Sequence, residues 1–174
     1  MFRSRSGPEP GDGVRIPVAA VRDRRRRPSL AAMPQPILRT ATAADVAAVL
    51  GFWQLAAEDA HRPADSSSAL EALLARDPEA LLLAVDPASG ELIGSVIAGW
   101  DGWRCHVYRL AVHPDRRREG IGRLLVAAAE DRFRAFGGTR ADAMVLDGNA
   151  LAHHAWRAGG YAPQPEWSRW VKAL

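Results

Sequence analysis

Apolar residues in this chain follow two rhythms. Between Leu81 and Val112 they gather in three short runs, at residues 81–85, 91–100 and 105–112. The turn formers Asp86-Pro87-Ala88-Ser89-Gly90 and Asp101-Gly102 separate them. Short runs rich in branched residues and joined by tight turns predict three hairpin-linked strands in an antiparallel meander. Gly94 and Gly99 inside the second run predict a bulge or a close backbone approach. From Ile121 the rhythm changes: Ile121, Leu124, Leu125, Ala128, Phe133 and Phe136 fall on one face of an amphipathic helix. Glu130 and Arg134 sit four apart on its polar side and can pair weakly.

The flanking segments extend the pattern. Ile37 to Thr40 predicts a short first strand, and Thr42 with Asp45 forms a T-x-x-D helix-start signal. The helix that follows carries Val46, Val49, Leu50 and Trp53 on one side. After a loop through His61, Arg62 and Pro63, Ser67 or Ser68 is expected to cap a second helix. That helix carries Leu70, Leu73 and Leu74 and stops before Asp77-Pro78. Residues 140–146 read as a strand reached through a helix, and so parallel to Cys105–Val112. Residues 149–158 are a short helix closed by Gly159-Gly160. Residues 167–173 supply a last strand. Strands and helices mixed in this way give the fold class α/β.

Composition narrows the picture without changing it. A chain of 174 residues that is 48% hydrophobic can bury one domain core. No apolar run approaches the roughly 20 residues of a membrane helix. The N-terminal arginines are not followed by an apolar stretch and a cleavage site, so neither a signal peptide nor twin-arginine export through Arg24 to Arg27 is expected. Cys105 is the only cysteine, which rules out an intrachain disulfide and fits a cytoplasmic location. Charge is uneven. Residues 1–34 hold eight arginines against Glu9, Asp12 and Asp23, a net of +5 in a chain of +3. Residues 35–174 are therefore at −2 and give no global argument for nucleic acid. Residues 1–34, rich in Gly, Pro, Ser and Arg, are expected to be a disordered basic extension, and 35–174 the domain. Met33 could serve as the translation start. The sharper alternative is a basic arm that touches nucleic acid or an anionic membrane. No His/Cys/Asp spacing predicts a metal site.

The segment His113-Pro114-Asp115-Arg116-Arg117-Arg118-Glu119-Gly120-Ile121-Gly122 joins a predicted strand to a predicted helix. The first amides of a helix have no intrahelical partner and carry partial positive charge. Glycines let an anion approach them, and Arg116, Arg117 and Arg118 add charges suited to phosphate. The competing reading is an ordinary turn with a solvated charge run. Residues 117–122 resemble the acyl-CoA pyrophosphate signature R/Q-x-x-G-x-G/A of the GCN5-related N-acetyltransferases. Leu110-Ala111-Val112-His113-Pro114 is similar to that family's fourth strand and its exit. Downstream, Asn149, Ala152, Trp156, Gly160 and Tyr161 resemble its N-x-x-A-x-x-x-Y-x-x-x-G-F/Y helix.

The resemblance covers residues 37–174. It implies a mostly antiparallel central sheet of roughly six or seven strands with one parallel pair, and about four helices. It implies acetyl-CoA as co-substrate, with the pantetheine arm on the backbone of Leu110, Ala111 and Val112. The pyrophosphate is then expected on the amides of Arg117, Arg118, Glu119, Gly120, Ile121, Gly122 and Arg123. Asn149, Ala152 and Trp156 are expected to border the cofactor, although a helix N-cap is an equally good role for Asn149. Glu58, Asp59, His61 and Asp65 become candidate contacts to the acceptor. The implied activity is acetyl transfer to a primary amine by direct attack on the thioester. An enzyme of this kind is expected to meet small molecules or protein amines, with a homodimer possible.

The chemistry sets requirements. A lysine-like amine has a pKa near 10.4, so deprotonation at neutral pH costs roughly 4 kcal/mol. Many members of the family place an acidic tyrosine where this chain has Trp156, and indole does not ionise usefully. A thiolate of pKa near 8.5 can leave unprotonated at a cost of about 2 kcal/mol, or be protonated by Tyr108, Tyr161 or water. His106 is the best-placed base by strand position. Strand alternation puts Tyr108 on one face with His106, Leu110 and Val112. The loss of the tyrosine at 156 motivates a rival reading, a CoA-binding module without turnover. A third is a nucleic-acid-binding protein acting through the arginine-rich extension.

Overall fold

A computed structural model describes residues 34–57 and 64–172. The expected basic extension lies outside these residues except for Pro34, as do Glu58, Asp59 and His61. Five strands form one sheet in chain order: β1 (Ile37–Thr40), β2 (Leu81–Val85), β3 (Leu92–Trp100), β4 (Cys105–Val112) and β5 (Ala141–Ala143). The first four pair antiparallel. β5 runs parallel to β4, from Cys105↔Ala141 to Val107↔Ala143. The helices are α1 (Val46–Ala56), α2 (Ser67–Arg76), α3 (Ile121–Ala135) and α4 (Ala150–Ala158).

The sheet separates two apolar layers. On one face Ile93, Val96, Cys105 and Val107 pack against Ile121, Leu125, Ala129 and Phe133 of α3. On the other, Leu81, Leu83 and Ala111 pack against Val49, Phe52 and Trp53 of α1 and Leu70 of α2. Each fully buried Leu or Val contributes roughly 1.5–3 kcal/mol of burial. The buried stripe of α3 steps every four residues, so Leu124 and Ala128 sit at its edge rather than within it. Phe136 ends the helix, half exposed, and stacks on Trp100 with ring centroids 5.8 Å apart.

Helix ends show why the signals in the chain work. Asp45 accepts hydrogen bonds from the Thr42 amide and hydroxyl, at 2.8 and 2.9 Å. Arg39 clamps it from β1. A short 3-10 turn, Ala43–Asp45, precedes α1. The cap of α2 is Ser66, ahead of the expected Ser67 or Ser68; its hydroxyl accepts from the Ala69 amide at 3.1 Å. α3 and α4 both close with a left-handed glycine, Gly137 and Gly160. In each, the amide one residue further reaches back, Gly138 to Phe133 O and Tyr161 to Trp156 O. That is the Schellman arrangement.

Two expectations for the sheet are corrected. Residues 167–172 form no strand, so the described sheet has five strands rather than six or seven. Trp167, Trp170 and Val171 are apolar but 75, 93 and 78% exposed, and their spacing of three and one does not keep to a single strand face. Among the described residues no neighbouring backbone completes a ladder for them, and Pro163 and Pro165 remove two donors just ahead. The predicted strand over 140–146 shortens to Ala141–Ala143. By Leu146 the backbone is committed to the start of α4, where the Leu146 carbonyl accepts from the Asn149 amide at 2.9 Å. The reading of Gly94 as a close approach holds. A Cβ there would lie 2.8 Å from Ile121 Cγ2 and 2.9 Å from Leu125 Cδ1.

Candidate active site

The two parallel strands part just beyond Val107 and Ala143, where their pairing ends. The cause is an extra residue in β4. Ile97 pairs with Tyr108 and Ser95 with Ala111, so Val96 faces both Arg109 and Leu110. Arg109 takes φ +51°, an uncommon conformation for a side chain-bearing residue. The bulge is anchored from below. Buried Ser95 donates to the Arg109 carbonyl at 3.2 Å and accepts from the Trp53 indole at 2.9 Å. The Arg109 guanidinium lies over the Trp53 ring, 4.7 Å from its centroid, and pairs with Asp65. Asp65, expected as an acceptor contact, is thus already committed to holding the bulge.

The bulge also corrects a side-chain assignment. Simple alternation puts His106, Tyr108, Leu110 and Val112 on one face. The extra residue reverses the order. His106 and Tyr108 lie together, ring centroids 5.7 Å apart. Leu110 and Val112 turn to the α3 layer, and Ala111 turns to the α1 layer. The backbone edge of Leu110 to Val112 that would face β5 has no strand partner among the described residues, which leaves it for a ligand apart from the Val112 carbonyl that Arg117 reaches.

Below this edge the basic loop leads into α3. After the turn Pro114–Arg116, Arg118 and Gly120 both take positive φ, +68° and +85°. Left-handed residues in such a loop turn backbone amides toward a common concavity, as in anion-binding nests. The first helical bond of α3 runs from the Leu124 amide to Gly120 O at 3.0 Å, so the Ile121, Gly122 and Arg123 amides precede the ladder. A Cβ on Gly120 would meet nothing within 4 Å, so this turn residue is uncovered on its side-chain side. The arginines divide in role. Arg116 is held by Asp86 and by Glu119, the latter at 2.7 Å. This pairing holds the Asp86 carboxyl below its usual range. Arg117 reaches the Val112 carbonyl at 3.4 Å, whereas Arg118 and Arg123 have no ion-pair partner among the described residues. This half of the site fits a diphosphate.

At the other end of β4, His106 faces Asp142 across the parallel pair, Nδ1 to Oδ1 2.5 Å. Asp101, from the β3–β4 turn, lies 4.0 Å from Nε2. Its other oxygen caps the turn by accepting from the Trp103 and Arg104 amides, which keeps its carboxyl below the usual range. Burial raises the Tyr108 phenol above its ordinary value, and the carboxylates of Asp142 and Asp101 add to the rise. Tyr108 therefore keeps its proton at neutral pH. Asp142 and Asp101 escaped the sequence reading, because the pairing partner of His106 depends on the register of a strand reached through a helix.

The second motif forms the start of α4. Asn149 caps it, accepting from the Ala152 amide at 3.0 Å. Trp156 packs against the α3 layer and meets the edge of Tyr161, centroids 4.7 Å apart. Tyr161 donates to Glu130 of α3 at 3.2 Å, and burial with that carboxylate pushes its phenol up to about 12. Tyr161, a candidate proton donor by sequence, is thus bound to α3. Among the described residues no three His, Cys, Asp or Glu side chains could share a metal ion. No helix there is long and apolar enough to cross a membrane.

A family model described as the acetyltransferase (GNAT) family matches residues 48–161. An acetyltransferase of Pectobacterium atrosepticum is 37% identical over 106 residues, 60% of this chain and 72% of that protein. Among solved structures, AAC(6')-Iy in complex with a CoA-linked acetylneamine bisubstrate analogue is similar at TM-score 0.63 and 19% identity, over 81% of this chain and all of that one. The yncA protein of Salmonella typhimurium with acetyl-CoA is similar at TM-score 0.60 and 21% identity, over 73% of this chain and 79% of that one.

Proposed function

We propose that this chain, which belongs to the acetyltransferase (GNAT) family, moves the acetyl group of acetyl-CoA to a primary amine by direct attack of the amine on the thioester. The observation that carries the reading is the pairing of two features at one end of the sheet. One is the set of unladdered amides at residues 121–123 behind left-handed Arg118 and Gly120. The other is the unpaired edge of Leu110 to Val112 where β4 and β5 part.

Ile121, Gly122 and Arg123 would hold the diphosphate through backbone amides, with Arg118 and Arg123 supplying charge. Arg117 would exchange its long contact with Val112 O for phosphate, freeing that carbonyl for the pantetheine arm. The thioester then lies near the bulge, next to Tyr108. Asn149 and Ala152 border the cofactor from α4, and Trp156 closes it off from the α3 layer. His106 takes a proton from the ammonium group. The freed amine nitrogen attacks the carbonyl carbon, the C–S bond breaks, and the thiolate takes the phenol proton of Tyr108. The acceptor class remains broad: protein amines, polyamines and aminoglycosides all present the required nitrogen.

The test combines two measurements. Acetyl-CoA should raise the melting temperature, and a panel of neamine, spermidine, lysine and a short peptide with a free α-amine should include one that releases free thiol. No thermal shift with acetyl-CoA would overturn the reading. A shift without thiol release from any amine would leave the CoA-binding module.

A further inference from the structure

The cluster at the head of β4 carries more than a lone candidate base. His106 is 23% exposed and sits between two carboxylates on separate elements, Asp142 on β5 and Asp101 on the β3–β4 turn. The contacts are unequal. Asp142 is at hydrogen-bond distance from Nδ1, while Asp101 is 4.0 Å from Nε2, too far for a direct bond. An ionised Asp142 can only accept. Nδ1 then carries the ring proton, and Nε2, which faces Asp101 Oδ2 at 4.0 Å, carries the lone pair.

Resting on the acetyltransfer reading above, we propose that Asp142 is a positioning residue that fixes the imidazole of His106 with Nε2 as the base, so that Nε2 draws the proton from the acceptor ammonium. The cross-strand register His106↔Asp142 supplies the geometry, because directly opposed residues of a paired strand project from the same face. A partner carboxylate at the far nitrogen sets the tautomer and the ring orientation. Protons balance simply. R–NH3+ gives one proton to Nε2, and the amine forms the C–N bond. The thiolate leaves with the Tyr108 proton, and the second amine proton returns the phenol to its acid form. The imidazolium releases its proton to solvent. The charged and titratable groups around the ring are Asp142, Asp101 and Tyr108. Arg104 acts on Asp101, Arg169 acts on Tyr108, and the buried Cys105 thiol is adjacent in sequence.

Asp142→Asn, Asp142→Glu and His106→Gln test this. Nitrogen NMR of the wild-type imidazole should show Nδ1–H with unprotonated Nε2 above the titration of the ring, and Asp142→Asn should lose that preference. With an accepted amine, Asp142→Asn should lower kcat about tenfold or more while KM for acetyl-CoA stays within about twofold. Asp142→Glu should recover part of kcat. His106→Gln should flatten the acidic limb of the kcat–pH profile. Wild-type turnover with kcat unchanged in both Asp142→Asn and His106→Gln would overturn the proposal and leave acetyl transfer standing. If the wild-type protein turns over no amine of the panel, acetyl transfer itself is at fault. The NMR spectrum then decides alone, and an Nε2–H ring overturns the assignment.

Discussion

Tyr108 and Tyr161 carry the same phenol into opposite circumstances. Tyr161 gives its proton to a bond with Glu130, while Tyr108 lies beside the cleft at 41% exposure. Tyr108→Phe is therefore expected to lower kcat about tenfold or more, because an unprotonated thiolate must leave at a cost of about 2 kcal/mol. Tyr161→Phe should leave kcat within about twofold; thiol-release kinetics on both variants check the contrast. Asp45 offers a stability test. The Arg39 guanidinium is the chief reason that its carboxyl stays well below the usual range. A folded-state pKa below the unfolded one adds stability that is complete above about pH 4 and is lost as pH falls through the folded value. Asp45→Asn should thus lower the melting temperature at pH 7, and the deficit should shrink on acidification. Residues of this kind were partly legible. Thr42 and Asp45 announce themselves at fixed spacing, whereas Asp142 gains its meaning only from a neighbour 36 positions away.

Elements were legible where a local signal sets them. The three hairpin strands, the parallel crossover and the four helices come from turn residues and period. Strand ends and the bulge did not, because an extra residue leaves no mark in the alternation until a partner strand is beside it. Two glycines make the element scale testable. A Cβ on Gly138 would sit 2.4 Å from Cys105 Sγ and 2.9 Å from the Phe133 carbonyl. Gly138→Ala should destabilise by about 1–3 kcal/mol in denaturant unfolding, since backbone cannot move aside. Gly120→Val meets no such obstruction but must hold φ +85°, costing roughly 1–2 kcal/mol. It also places a branched side chain at the N-cap of α3. Its signature should be loss of the acetyl-CoA thermal shift beyond what the lower baseline melting temperature explains.

At the scale of the whole molecule, one sheet holds two layers apart, and among the described residues no strand pairs with β5 beyond β4. The tail at 167–172 adds no strand, so Trp170→Ser should change stability by less than about 0.5 kcal/mol, read by thermal unfolding. The residues at 167–173 suggest a strand in the sequence, but a strand needs a neighbour to pair with, and among the described residues the sheet gives them none. The odd residue at Arg109 bears on every layer at once. Removing it would restore unbroken alternation to β4, and one half of the strand would have to roll over. Either the histidine and tyrosine would turn to the α3 layer, or Leu110 and Val112 would leave it and Ala111 would leave the α1 layer. Chain length at this point is therefore constrained by parity.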